Sequence, residues 1–250
     1  GKSSGYGFTG PSGLINDSLE QVKIKNVGKD NLFTGQVDWI AIEGRYFISS
    51  IIPQPASNAS MQLKMVNEAI LENQIVMPEV TIPAGTQKVY GYALYFGPKS
   101  MRILKSLGNG LERAINFGMF DFLAKPCLWL MNVFYGVIPN YGVAIIILTL
   151  LTKILLWPLG NKSYKSMNQM KKLQPLMAEI REKYKNDKKK MNEEVMGLYR
   201  TYKINPLGGC LPMVAQIPVF FALYRMLYEA IELRHAPFFG WINDLSAPDR

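Results

Sequence analysis

One cation, Lys153, interrupts the apolar run ILTLLTKILLWPL at residues 147–159. An ammonium at the centre of a bilayer costs roughly 2.5–3.5 kcal/mol on insertion scales, so this position needs compensation. Three sources are open. Lys153 lies four residues before Trp157 and can snorkel toward a helix end. It can pair with Glu229 across a helix bundle, or it can line a wet cavity and meet transient ligands. Spacing bears on the choice: Thr149 and Lys153 are four apart and share a helical face, with Thr152 beside that edge and Ile147, Leu150, Leu151 and Ile154 on other faces. With Gln216 from a second apolar stretch, that face would form a hydrophilic groove. Such a groove lowers the cost of passing a polar segment by replacing hydrocarbon with water and hydrogen-bonding groups.

Bond-making chemistry has few candidates. His235 is the sole histidine, set in ELRHAPFF just after an apolar stretch, which excludes a histidine-based metal cluster and favours an interface residue over a catalyst. No serine elbow, zincin pair, phosphate loop or dinucleotide fingerprint occurs. GNG at 108–110 and LGG at 207–209 are too short to indicate nucleotide binding. Cys127 and Cys210 are the only cysteines, each in an apolar neighbourhood, and imply no disulfide framework. The expectation is a protein that is not an enzyme and uses no cofactor or metal.

The elements that must position Lys153 follow from composition. Residues 1–105 carry short β-branched or alternating runs (QVKIKNV, FTGQVDWIAI, RYFISSII, MQLKMV, QKVYGYALYF) punctuated by glycine and proline, the pattern of five or six antiparallel strands. Residues 106–140 read as an amphipathic interfacial helix over 106–124, with Leu111, Ile115, Met119 and Phe122 on one side, or equally as a helix packed against the β domain, then an aromatic linker too short for a span. Residues 141–159 form a transmembrane helix that Pro158 limits, and 206–232 form a second, interrupted by Pro212 and Pro218. Residues 233–250 begin a further loop.

Between the spans, residues 160–205 form a basic helical hairpin turning at KNDKKK. Met170, Leu173, Leu176, Met177 and Ile180 make one apolar stripe, and Met191, Val195, Leu198 and Tyr202 make the other, so the faces bury each other. The whole chain has a formal charge of +9, and residues 161–205 contribute ten lysines and two arginines against five acids. A short basic segment between two apolar stretches is what the positive-inside rule describes for a cytoplasmic loop. No nucleic-acid-binding motif or zinc spacing accompanies the charge, so no direct nucleic-acid specificity is expected.

NYGVAIIILTLLTKILLWPL, the hairpin KSYKSMNQMKKLQPLMAEIREKY…EEVMGLYR, NPLGGCLPMVAQIPVFFALYRML and ELRHAPFFGWINDLS follow one another over 140–246, within a match over 106–246. In that order they resemble the bacterial membrane-protein insertase family YidC, with relatives in mitochondria and chloroplasts. The resemblance implies a multidomain chain: a partial β-sandwich-like periplasmic domain, then an incomplete α-helical transmembrane insertase core with a cytoplasmic helical hairpin. It implies a multi-pass protein of the bacterial inner membrane, with 1–105 periplasmic and 160–205 cytoplasmic. Its implied task is to insert nascent membrane proteins and help them fold, alone or with the Sec translocon, without nucleotide hydrolysis. The ribosome and the signal-recognition receptor are further candidate partners, and membrane lipids surround the core. Lys153 stands where the family usually has arginine in its positively charged groove, which keeps the charge and loses the guanidinium fork. Thr149 and Gln216 match other groove positions, and Lys162, Lys165, Lys171 and Lys172 lie on the hairpin that meets substrate or ribosome. Arg225 and Glu229 receive no role. The family core has five transmembrane helices and an N-terminal anchor, so a chain supplying two spans is expected to be part of a longer protein.

Overall fold

A computed structural model describes residues 7–28, 32–67, 70–202 and 211–248, with the side chains of 162, 166 and 211–213 outside the description. The expected part of the second span over 206–210, with Cys210, therefore lies outside the described residues, as does the Lys162 side chain. The chain divides into two compact units, one of residues 1–128 with 224–250 and the other of residues 129–223.

The first unit is built on a seven-stranded antiparallel sheet: β1 (Gly10–Ile15), β2 (Ser18–Gln21), β3 (Leu32–Glu43), β4 (Phe47–Gln54), β5 (Ser57–Met65), β6 (Leu71–Val76) and β7 (Gly91–Pro98). The path β2-β1-β3-β4-β7 is continuous, and β5 branches from β3 to carry β6. The twelve residues of β3 make this branching possible. One end pairs with β5 (Leu32 with Gln62), while the other pairs with β1 (Ile40 with Gly13) and with β4 (Ile40 with Ile51).

The core joins Ile15, Val37, Ile40, Ala59, Met61 and Leu63 from β1, β3 and β5, together with Val22. Gly13 permits this approach, because a Cβ there would lie 2.7 Å from the Met61 sulfur and 3.2 Å from the Trp39 carbonyl oxygen. In GQVDWIAIE, Val37, Trp39, Ala41 and Glu43 are buried at period 2 and Ile40 between them is buried as well, so this part of β3 is covered on both faces. Two strands lie outside the runs read from sequence: β1, with its Gly-Pro-Ser-Gly start, and the polar β6. QVKIKNV is a strand only at its first residue, and Ile24–Asn26 forms a 3-10 turn.

After β7 the chain makes α1 (Met101–Leu107), a 3-10 turn at Leu111–Ala114, a second at Gly118–Phe120, and α2 (Asp121–Val137). The single amphipathic helix expected over 106–124 is thus replaced by three short pieces. Gly108, Asn109, Gly110 and Gly118 all take left-handed φ values of 51–75°, which end a right-handed helix. The expected common face dissolves with it: Leu111 and Ile115 are buried, whereas Met119 and Phe122 are exposed.

The second unit contains the remainder of α2, then α3 (Tyr141–Lys172), α4 (Gln174–Lys183), α5 (Lys188–Thr201) and the first part of α6 (Leu211–Glu229). Asn140 caps α3, its side chain accepting from the Val143 N–H at 3.1 Å. Tyr135 stacks on Tyr141 at 3.9 Å between ring centroids, and the Tyr141 hydroxyl reaches Asn132.

Pro158 does not end the first span, which continues to Lys172 as one helix of 32 residues. Proline removes one N–H, but neighbouring turns retain theirs, and apolar surroundings strengthen those bonds. The break comes at Leu173, with Pro175 in the first turn of α4. The hairpin forms as its stripes require: Leu173 is buried, Met170, Leu176, Met177, Ile180, Met191, Val195 and Leu198 are half-buried, and Tyr202 is exposed. Asp187 caps α5 through the Lys190 N–H at 3.0 Å.

Candidate functional site

Among the described residues, α3 is the one helix long and apolar enough to cross a bilayer. Only 17% of its most apolar 18-residue stretch is buried, whereas a core helix of a globular protein would be mostly covered. Ala144 and Leu148 face protein, while Leu150, Leu151, Ile154, Leu155 and Trp157 are exposed. By length and composition this helix could cross a bilayer, and its large aliphatic side chains are open to lipid or to further protein.

Lys153 is exposed within this surface and Thr149 is half-buried one turn before it. The Thr149 hydroxyl donates to the Ile146 carbonyl at 2.8 Å, and Thr152 donates to the Thr149 carbonyl at 2.9 Å. These hydroxyls donate within the helix, so they cost little in an apolar setting. Gln216 is exposed on α6, among exposed Val214, Ile217 and Phe220. Thr149 and Lys153 share a face of α3. Among the described residues no hydrogen bond joins Gln216 to either.

Glu229, one of the groups weighed as a partner for Lys153, is engaged by Arg225, four residues earlier on α6, at 3.1 Å. The spacing could have identified that pair directly.

On the hairpin, Lys165, Lys171 and Lys172 are exposed near the end of α3. Lys171 lines a cleft of about 740 Å³ with Met167, Met170, Gln174, Met177, Arg181 and Tyr199. The Tyr199 hydroxyl points at the Met177 sulfur, 3.4 Å away. Lys165 and Lys172 are not among the cleft residues. Methionine adapts to varied apolar shapes, so this cleft suits an irregular hydrophobic surface beneath a basic rim.

The first unit contains polar chemistry that the sequence did not single out. Lys99 and Glu43 form a buried ion pair at 2.5 Å, with Gln21 also donating to Glu43 at 3.4 Å. Arg45, in the β3–β4 turn, donates to the Tyr228 carbonyl. Nothing in the local sequence GRYF marks Arg45 for this contact across 183 residues. Past α6, His235 lies 3.2 Å from the Asp244 carboxylate. That carboxylate also accepts from the backbone N–H and hydroxyl of Ser246 and from the His235 N–H, and these bonds, led by Ser246, hold it below the usual aspartate range. The sole histidine thus belongs to a loop-fixing cluster.

The unit boundary near residue 128 lies close to where two family descriptions meet, although residues 224–250 fall in the first unit. A family of the YidC periplasmic domain matches residues 1–130, and that of the 60Kd inner membrane protein matches residues 133–250. Similar proteins include the membrane protein insertase YidC of Syntrophus aciditrophicus, 49% identical over 249 residues, covering 99% of this chain and 46% of that protein. That of Geobacter metallireducens is 49% identical over 241 residues, 96% of this chain and 45% of the relative. That of Pelobacter propionicus is 46% identical over 249 residues, 99% and 46% respectively. The chain spans about half the length of these relatives. An antiparallel β domain followed by a helical region with an open apolar helix, matched end to end in this way, places the chain in the YidC family.

Proposed function

We propose that the protein of which this chain is part inserts nascent membrane proteins into the bacterial inner membrane, and assists their folding, through a polar, positively charged groove. The relatives bear the name membrane protein insertase. The observation that carries the reading here is Lys153, an exposed cation on an exposed apolar helix whose candidate partner Glu229 is bound by Arg225. Lys153 lies about 18 Å along the helix axis from Tyr141, past the middle of a hydrocarbon layer about 30 Å thick. A charge at that depth is tolerated where water or a polar ligand reaches it.

The mechanism is transient capture without covalent chemistry. The basic hairpin, with Lys162, Lys165, Lys171 and Lys172, receives an emerging hydrophobic segment on its cytoplasmic side. Its methionine-lined cleft accommodates apolar side chains of varied shape. Lys153, Thr149 and Gln216 then attract and hydrate an acidic or polar tail while the spanning part leaves laterally into lipid. Attraction to Lys153 is that of a point charge, so it selects for negative charge in the tail more than for carboxylate geometry. In this arrangement residues 1–105 are periplasmic, α3 and α6 belong to a multi-pass core, and the protein works alone or beside the Sec translocon, with the ribosome and signal-recognition receptor on the hairpin side.

The test is insertion of dependent client proteins by the full-length protein. Lys153→Ala should lose insertion of clients with acidic translocated tails, and Lys153→Arg should restore it. Undiminished insertion of every dependent client by Lys153→Ala would sink the groove.

A further inference from the structure

Arg45 holds the end of α6. Its Nε and Nη2 donate to the Tyr228 carbonyl at 3.0 and 2.5 Å. The guanidinium also lies 3.5 Å from the centroid of the Tyr228 ring and 4.6 Å from that of Tyr46. Tyr228 is the next-to-last residue of α6. The last carbonyls of a helix have no intrahelical donor and carry the negative end of its dipole. Arg45 supplies a donor fork and a positive charge to that end, and its planar face covers the ring of the residue whose carbonyl it binds.

The surroundings fix both partners. On the sheet side, Glu43, two residues before Arg45, is held in its buried pair with Lys99. Strand pairing continues to Glu43 with Ile48 and to Phe47 with Pro98, so the turn bearing Arg45 springs from a closed sheet end. On the helix side, Ala222, Met226 and Ala230 form a buried stripe. Gly118 adopts φ +68°, and a Cβ there would lie 2.7 Å from Arg225 Nη1. Glycine at 118 therefore makes room for the Arg225–Glu229 pair, one turn from Tyr228.

We infer that Arg45 is a positioning residue, which caps α6 at Tyr228 and so sets the rotation and depth of the helix that carries Gln216. The inference rests on the groove reading of Lys153, Thr149 and Gln216. Gln216 lies twelve residues before Tyr228, about 18 Å along the same helix.

The experiment uses the full-length protein in membranes, with Arg45→Ala and Arg45→Lys, a photo-crosslinker at position 216 or 149, and a nascent single-span client. Hydrogen exchange of the last turn of α6 is read in parallel. In Arg45→Ala that turn should exchange about tenfold faster, the change for loss of one charge-assisted hydrogen bond, while amides of β3 and β4 keep their protection. Client crosslinks at 216 should fall several-fold and those at 149 should persist. Arg45→Lys, with the charge but without the fork, should be intermediate in both.

Unchanged exchange in the last turn, or faster exchange with undisturbed crosslinking at 216, overturns the inference. Loss of crosslinks at 216 and 149 together with loss of sheet protection also overturns it, since Arg45 would then only support the fold. Lys153→Ala separates the two levels. If it inserts normally while Arg45→Ala still frees the end of α6, the groove reading falls and the cap remains; if it blocks insertion while Arg45→Ala changes nothing, the cap falls and the groove remains.

Discussion

Lys153 and Asp244 show opposite ways of managing a charge. Asp244 surrounds itself with donors: two from Ser246 and one from the His235 backbone. These hold its pKa below that of a free aspartate, so the carboxylate's contribution to loop order is fully present above the unfolded value of about 3.9 and is lost only as pH falls through the lower folded value. A pH titration of the Ser246 and His235 amides by NMR should give a midpoint below that of a free aspartate; a midpoint at or above it would remove Asp244 as the loop's organiser. Lys153 has no such shell among the described residues, and for that reason it is the site candidate. Its candidacy rests on residue type and on the Thr149 spacing, both of which stand in the sequence. Arg45 was not legible, because its partner is a backbone carbonyl, which leaves no trace in residue type.

At the scale of elements, period and punctuation determined what could be read. The hairpin was legible because two stripes repeat at helical spacing: α5 forms where the second places it, while the first is divided at Leu173 between the end of α3, with Met170, and α4. The segment over 106–124 was misread because hydrophobic spacing was weighed above the Gly-Asn-Gly at 108–110, whose left-handed residues break the helix. Pro158 misled in the other direction: a proline in an apolar helix is tolerated, and α3 continues through it into the basic region. Continuity makes Leu173 the hinge point of the second unit, buried where α3 gives way to α4. Leu173→Ala should cost about 2–3 kcal/mol locally. Hydrogen exchange would show it as faster exchange in α4 and α5 with the β-sheet amides unchanged; equal loss in both regions would mean that Leu173 supports more than the hairpin.

At the scale of the whole molecule, the account joins a β domain, an open apolar helix and a basic hairpin in one chain that spans about half the length of its relatives. The charge asymmetry predicts orientation. In intact cells with a permeabilised outer membrane, a membrane-impermeant maleimide should label Lys88→Cys in the β domain and spare Lys185→Cys at the hairpin turn. The reverse pattern would invert the topology and with it the direction of insertion. The central claim is that a client passes over the face bearing Lys153. Site-specific photo-crosslinking of a stalled single-span client to positions 149, 153 and 216 of the full-length protein tests it most directly. Crosslinks are expected at all three while the client's tail is crossing, and none at position 155. Absence of crosslinks at 149, 153 and 216 with a client that is nevertheless inserted would contradict it.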